Sequence, residues 1–118
     1  MAAKDRVGAY GERVAVNHLE RQGFTVLDRN WRCELGEIDI VAREGDCLVV
    51  VEVKTRRSSR FGPPAEAVTP VKLARLRRLT ARWVLTMGVR PARMRIDVVS
   101  VLPQPRGAAQ VEHLRAVG

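Results

Sequence analysis

The stretch Gly36-Glu37-Ile38-Asp39-Ile40-Val41-Ala42-Arg43-Glu44-Gly45-Asp46-Cys47-Leu48-Val49-Val50-Val51-Glu52-Val53-Lys54 decides the fold. Two apolar arms rich in β-branched residues flank a glycine-containing turn, so the stretch reads as two strands of a hairpin. Each arm carries an acid where the pattern asks for an apolar residue, Asp39 in the first and Glu52 in the second. A buried carboxylate is costly unless something pairs it. A turn at Gly45-Asp46 opposes Glu44 to Cys47, Asp39 to Glu52 and Glu37 to Lys54, and directly opposed residues hold their Cβ atoms about 4.5–5.5 Å apart. A turn at Glu44-Gly45 moves Asp39 opposite Val50 but keeps it on the face of Glu52. A three-residue turn without a bulge would put the two acids on opposite faces. Carboxylates this close repel unless a proton or a cation lies between them. Mg²⁺ suits one or two carboxylates completed by waters and a substrate phosphate. Lys54, two residues beyond Glu52, projects to the same side.

The rest of the composition narrows the partners. A chain of 118 residues that is 46% hydrophobic supports one domain, residues 1–118, with a modest core. The net charge of +8 favours a polyanion, most simply nucleic acid. Aromatic residues make up only 4%, which disfavours a stacking platform for single strands and favours a duplex or branched substrate. No apolar signal core follows Met1-Ala2-Ala3-Lys4-Asp5-Arg6, and no stretch approaches the roughly 20 apolar residues of a spanning helix. No basic helix has a matching apolar face for a membrane surface. The expectation is a cytoplasmic protein without membrane partners. Cys33 and Cys47 are isolated and make neither a disulfide framework nor a zinc motif. His18 and His113 lack ligand-like neighbours and read as ordinary surface or packing residues.

Outward from the hairpin, residues 4–22 read as a helix ended by Gly23. Its apolar stripe is Val7, Tyr10, Val14, Ala15 and Leu19, with Glu12 at the edge of the stripe. Residues 24–32 read as a strand carrying Phe24, Val26, Leu27 and Trp31. The polar, basic stretch from Thr55 to Pro64 is a loop directly after the acidic hairpin. Thr69-Pro70 opens a second helix that runs to Met87 and stops at Gly88. Leu76, Leu79, Trp83 and Met87 face its core, while Arg75, Arg78 and Arg82 share another face near Lys72. Residues 93–102 alternate as a strand with Met94, Ile96 and Val98 on one side. Asp97 lies on the other side with Arg95 and Val99 and reads as structural. Residues 110–114 are an optional edge strand. The order is αβββαβ, an α/β fold in which a meander is followed by a crossover helix and a parallel strand, giving a mixed sheet flanked by helices.

Gly36-Glu37-Ile38-Asp39, Val51-Glu52-Val53-Lys54-Thr55-Arg56 and Ala67-Val68-Thr69-Pro70-x-Lys72 together resemble the bacterial YraN-like family. The opening Gly8-x-x-Gly11-Glu12-x-x-Ala15 also fits, so the resemblance covers nearly the whole chain. That family looks like a branch of the PD-(D/E)xK nuclease superfamily and is similar to archaeal Holliday junction resolvases. The resemblance implies a restriction-endonuclease-like core. It implies Asp39 and Glu52 as metal ligands, Lys54 as the catalytic lysine, and Glu12 as the first-helix glutamate used near the metal. The proline that names the motif is absent, and Ile38 stands before Asp39.

The activity then expected is Mg²⁺- or Mn²⁺-dependent hydrolysis of DNA phosphodiesters. The metal would be held by Asp39, Glu52, the Val53 carbonyl and Glu12. Arg56, Arg57, Arg60, Lys72, Arg75, Arg78 and Arg82 would hold backbone phosphates, giving affinity without base specificity. Symmetric cleavage of a junction would require a homodimer. Two other readings compete with this one. One is a nucleic-acid-binding protein that keeps the fold without cutting, and the other is an assembly factor whose charge serves solubility.

Overall fold

The computed structural model describes residues 6–56 and 68–118. Their elements are α1 (Arg6–Arg21), β1 (Thr25–Cys33), β2 (Gly36–Glu44), β3 (Cys47–Thr55), α2 (Pro70–Met87), β4 (Arg93–Leu102) and β5 (Gln110–Leu114). The five strands form one sheet in the order β1-β2-β3-β4-β5, parallel only between β3 and β4. The expected α/β order is therefore present, and the optional last strand pairs with β4.

The two helices cover opposite faces. Ala15 and Leu19 of α1 pack with Val49, Val51, Val99 and Val101. Leu76, Leu79 and Trp83 of α2 pack with Leu48, Val50 and Ile96. Successive residues of β3 thus feed alternate cores, as the two-residue period requires. This explains why β3 is apolar on both sides until Glu52. The hairpin turns at Gly45, whose φ of +59° lies in the left-handed region that a tight turn uses. Thr69 caps α2 by accepting from the Lys72 N–H at 3.2 Å, Pro70 begins the helix and Gly88 ends it.

Three expectations need correction. The α1 stripe packs as expected through Tyr10, Val14, Ala15 and Leu19, but Gly11 and Glu12 are buried too, so Glu12 lies inside the buried face and not at its edge. Gly11 is buried because α1 approaches β3 closely there, and an added Cβ would stand 1.8 Å from Thr55 Oγ1. Met87 is 43% exposed rather than in the core, at the last residue of α2 before the Gly88 cap. In β1 the register shifts between Val26 and Asp28, so Leu27 forms a bulge and points out of the core.

Candidate active site

The Gly45-Asp46 turn sets the register, with pairs from Glu44↔Cys47 to Ile40↔Val51. There the pairing stops. Asp39–Glu52 and Glu37–Lys54 are not ladder pairs, contrary to the extrapolated register, and Glu37 instead accepts from Arg32 Nε at 2.9 Å. The acids converge by another route. Ile38 packs in the α2-side core whereas Ile40 and Ala42 pack in the α1-side core, so β2 changes face across Asp39. The neighbouring strand is irregular at the same level. Asn30 lies between the pairs Arg29↔Ile40 and Trp31↔Ile38 with φ of +53°. Freed from the regular alternation, the Asp39 carboxylate accepts from the Val53 N–H of β3 at 2.9 Å.

Glu52 faces the α2 side, because its neighbours Val51 and Val53 pack toward α1. Burial pushes its carboxyl up to about 7, helped by the charge of Asp39 and a hydrogen bond with it, while Lys72 and Arg75 act in the opposite direction. Two carboxyls are therefore held in contact where neither is fully solvated, with cations of the first turns of α2 close enough to be felt. The Arg75 side chain lies across Gly36, its Cδ 3.7 Å from where a Cβ would stand. Lys54 is exposed on the same face as Glu52.

Glu12, on α1, is bonded to β1. It is 2% exposed and accepts from Asn30 Nδ2 at 2.7 Å and Arg29 Nε at 3.3 Å. Among the described residues no three His, Cys, Asp or Glu gather as a metal-holding group. In strand register Asn30 stands between Glu12 and Asp39, and its role carries no sequence signal. Of the expected phosphate contacts, Arg78 is exposed on α2, and Arg82 is ion-paired with Glu34. Arg56 follows β3 directly, its N–H donating to Val101 O at 2.7 Å. Arg57 and Arg60 lie outside the described residues, as does most of the expected basic loop.

A second polar cluster lies toward α1, and sequence spacing hides it. Asp97 is fully buried and accepts from Arg95 Nε, His113 Nε2 and the Ala116 N–H at 2.9, 2.8 and 2.9 Å. Burial alone would raise its carboxyl, but His113, Arg95 and Ala116 together hold it below the ordinary range. His113 donates through Nε2, so in its neutral form Nδ1 accepts, and His18 Nε2 supplies that proton at 3.1 Å. Burial, reinforced by His113, Arg21 and Arg115, lowers the proton affinity of His18. The structural reading of Asp97 fits this arrangement. The histidines, 95 positions apart, are joined only by the fold.

No helix among the described residues is long and apolar enough to cross a membrane. Residues 11–101 match the profile described as "Uncharacterised protein family UPF0102". A UPF0102 protein of Kineococcus radiotolerans is 64% identical over 98% of this chain and 95% of its own length. One from Beutenbergia cavernae is 61% identical over the whole of both chains, and one from a Nocardioides species is 56% identical over 99% and 94%. The chain therefore belongs to the UPF0102, or YraN-like, family of bacterial proteins.

Proposed function

We propose that the protein is a metal-dependent endonuclease acting on duplex or branched DNA, with a restriction-endonuclease-like core. The observation that carries the reading is the Asp39–Glu52 contact: two carboxyls pressed together, one pushed up to about 7, beside Lys72 and Arg75. A pure phosphate binder has no use for acids aimed at its anionic ligand. Hard oxygen donors of this kind fit Mg²⁺ or Mn²⁺, and Mg²⁺ needs only one or two protein carboxylates when substrate phosphate and water complete its shell. The αβββαβ order with β4 parallel to β3 supports the core assignment.

Asp39 and Glu52 would hold the cation, with the Val53 carbonyl as a third donor. When bound, the cation supplies positive charge to the scissile phosphate and makes water a better nucleophile. Asp39 keeps its orientation through the Val53 N–H. Lys54, on the face of Glu52, would orient the attacking water or stabilise charge developing on the phosphate. Lys72, Arg75 and Arg78 would hold neighbouring phosphates, and Arg82 would join them on leaving Glu34. Glu12, fixed by Asn30 and Arg29, would act through water rather than by direct ligation.

A non-cleaving binder with the same fold is the second reading, favoured by the lack of a three-ligand cluster among the described residues. Mn²⁺-dependent cleavage of a branched-DNA panel by wild type, Asp39→Asn and Lys54→Ala decides between them. The nuclease predicts cleavage that EDTA abolishes, with both variants inactive yet still binding. Metal-independent binding without cleavage, unchanged in Asp39→Asn, would leave the second reading standing.

A further inference from the structure

At the opposite end of the β2–β3 hairpin the surface is built for something other than a phosphate backbone. A groove of about 420 Å³ opens beside the turn, with Leu27, Leu48, Val89 and Pro91 along its walls and Arg43 and Arg90 at its rim. Its volume falls within the roughly 300–1,000 Å³ usual for ligand sites. The β1 bulge makes one wall. Val26 pairs with Ala42 and Asp28 with Val41, leaving Leu27 without a partner on β2 and 44% exposed. Bulges re-aim side chains in this way, and this one keeps Asp28 turned inward, where it accepts from Trp83 Nε1 at 2.9 Å. The opposite wall is the connection between α2 and β4, where Val89 is 40% exposed. A regular β1 would pack Leu27 onto a core and close the groove.

The charge of the rim selects the occupant. Asp46, the acid at the groove, is already neutralised by Arg93, with contacts of 2.6 and 3.2 Å. Among the described residues, Arg43 donates to the Gly45 carbonyl, at 3.3 Å, and neither Arg43 nor Arg90 forms an ion pair. The rim is thus net cationic over an apolar floor. We infer that this groove docks an acidic peptide segment of a partner protein through one bulky apolar side chain flanked by carboxylates. A second copy fits poorly, because a two-fold contact would set Arg43 and Arg90 against themselves. Nucleic acid would leave the apolar floor unused. From Glu44 to Asp39 the strand advances five residues, about 17 Å, so a docked partner leaves the acid pair open.

The test needs neither metal nor nucleic acid and so stands apart from the nuclease reading. In EDTA, a fluorescein-labelled peptide of aspartates around a single phenylalanine is titrated with the full chain and read by anisotropy. Control probes replace the aspartates by serine or the phenylalanine by alanine. Saturable binding that each control weakens at least roughly ten-fold is expected. Leu27→Ser and Arg90→Ala, both at exposed positions, should each weaken binding by a similar factor, while Arg78→Ala leaves it unchanged. Amide shifts on peptide addition should gather at Leu48 and Val89 and spare Glu52. No saturable binding, equal binding of the serine probe, or amide shifts away from the groove would overturn the inference. A dimer in sedimentation that Leu27→Ser dissolves would also overturn it, since the groove would then belong to a second copy.

Discussion

Two acid sites on one sheet, one buried and one half-buried, have opposite electrostatics. Asp97, on β4, is met by Arg95, His113 and the Ala116 N–H, and its ionised form is stabilised despite complete burial. Arg95 also bonds Glu44, and the guanidiniums of Arg95 and Arg115 lie over Phe24 at 5.6 and 5.2 Å. Glu52, on the adjacent β3, is met instead by another acid, and its ionised form is disfavoured. The first arrangement joins β4, β5 and the residues after β5 through interactions that close upon themselves. The second sets two carboxyls against each other, with Lys72 and Arg75 only partly offsetting the rise at Glu52. Folding stability accounts for the first, whereas the second is where the proposed function would seat a cation.

The contrast can be broken most severely through chemistry. Asp39→Asn should reduce Mn²⁺-dependent cleavage to background, and Lys54→Ala should lower its rate by about 10²–10³-fold, both with native circular dichroism. Next comes stability. Arg95→Met leaves the Asp97 charge buried and short of a partner, and should cost about 3–5 kcal/mol in urea denaturation. Removing an acid from the other site should act with the opposite sign.

That sign depends on pH. Glu52 binds a proton more tightly in the folded chain, between its ordinary 4.5 and about 7, so its contribution to stability falls as pH rises through that window. Glu52→Gln should therefore gain on wild type, by on the order of 3 kcal/mol once above the window, measured as the difference between two urea profiles. Asp97 behaves inversely: its contribution is in place above 3.8 and is lost as pH falls through its lower folded value. A flat difference between wild type and Glu52→Gln would erase the contrast. On the proposed function, Mn²⁺ should remove that difference by binding between the two acids. At a hundred-fold excess over its dissociation constant it should stabilise wild type by about 2.7 kcal/mol, but leave Asp39→Asn unmoved in a thermal melt. The smallest effect is expected on α2, where Arg78→Ala should leave stability unchanged and lower the salt slope of DNA binding by about one.

Much of this was legible in local patterns. Gly45-Asp46 marks the turn, Thr69-Pro70 and Gly88 bracket α2, and the alternation over residues 93–102 gives β4. These signals act over a few residues, where backbone sterics and capping decide the outcome without help from the rest of the chain. The acids of the candidate site were legible for the same reason, since Asp39 and Glu52 interrupt apolar runs. How they meet was not. A two-residue period carries β2 straight past Asp39, and nothing in Ile38-Asp39-Ile40 announces that the ladder ends and the strand changes face there.

What the chain order determined by itself was the order of the elements, their approximate bounds and the presence of two acids and a lysine in a hairpin, because each depends on neighbours in sequence. Tertiary structure decided which charges are neutralised. Glu12 was drawn to Asn30 and Arg29, Asp97 to residues of β4, β5 and the segment after it, and His18 to His113. Asp39 and Glu52 were brought to face each other. Coulomb energy follows distance through space and solvent access, and both are set by packing between segments far apart in the chain.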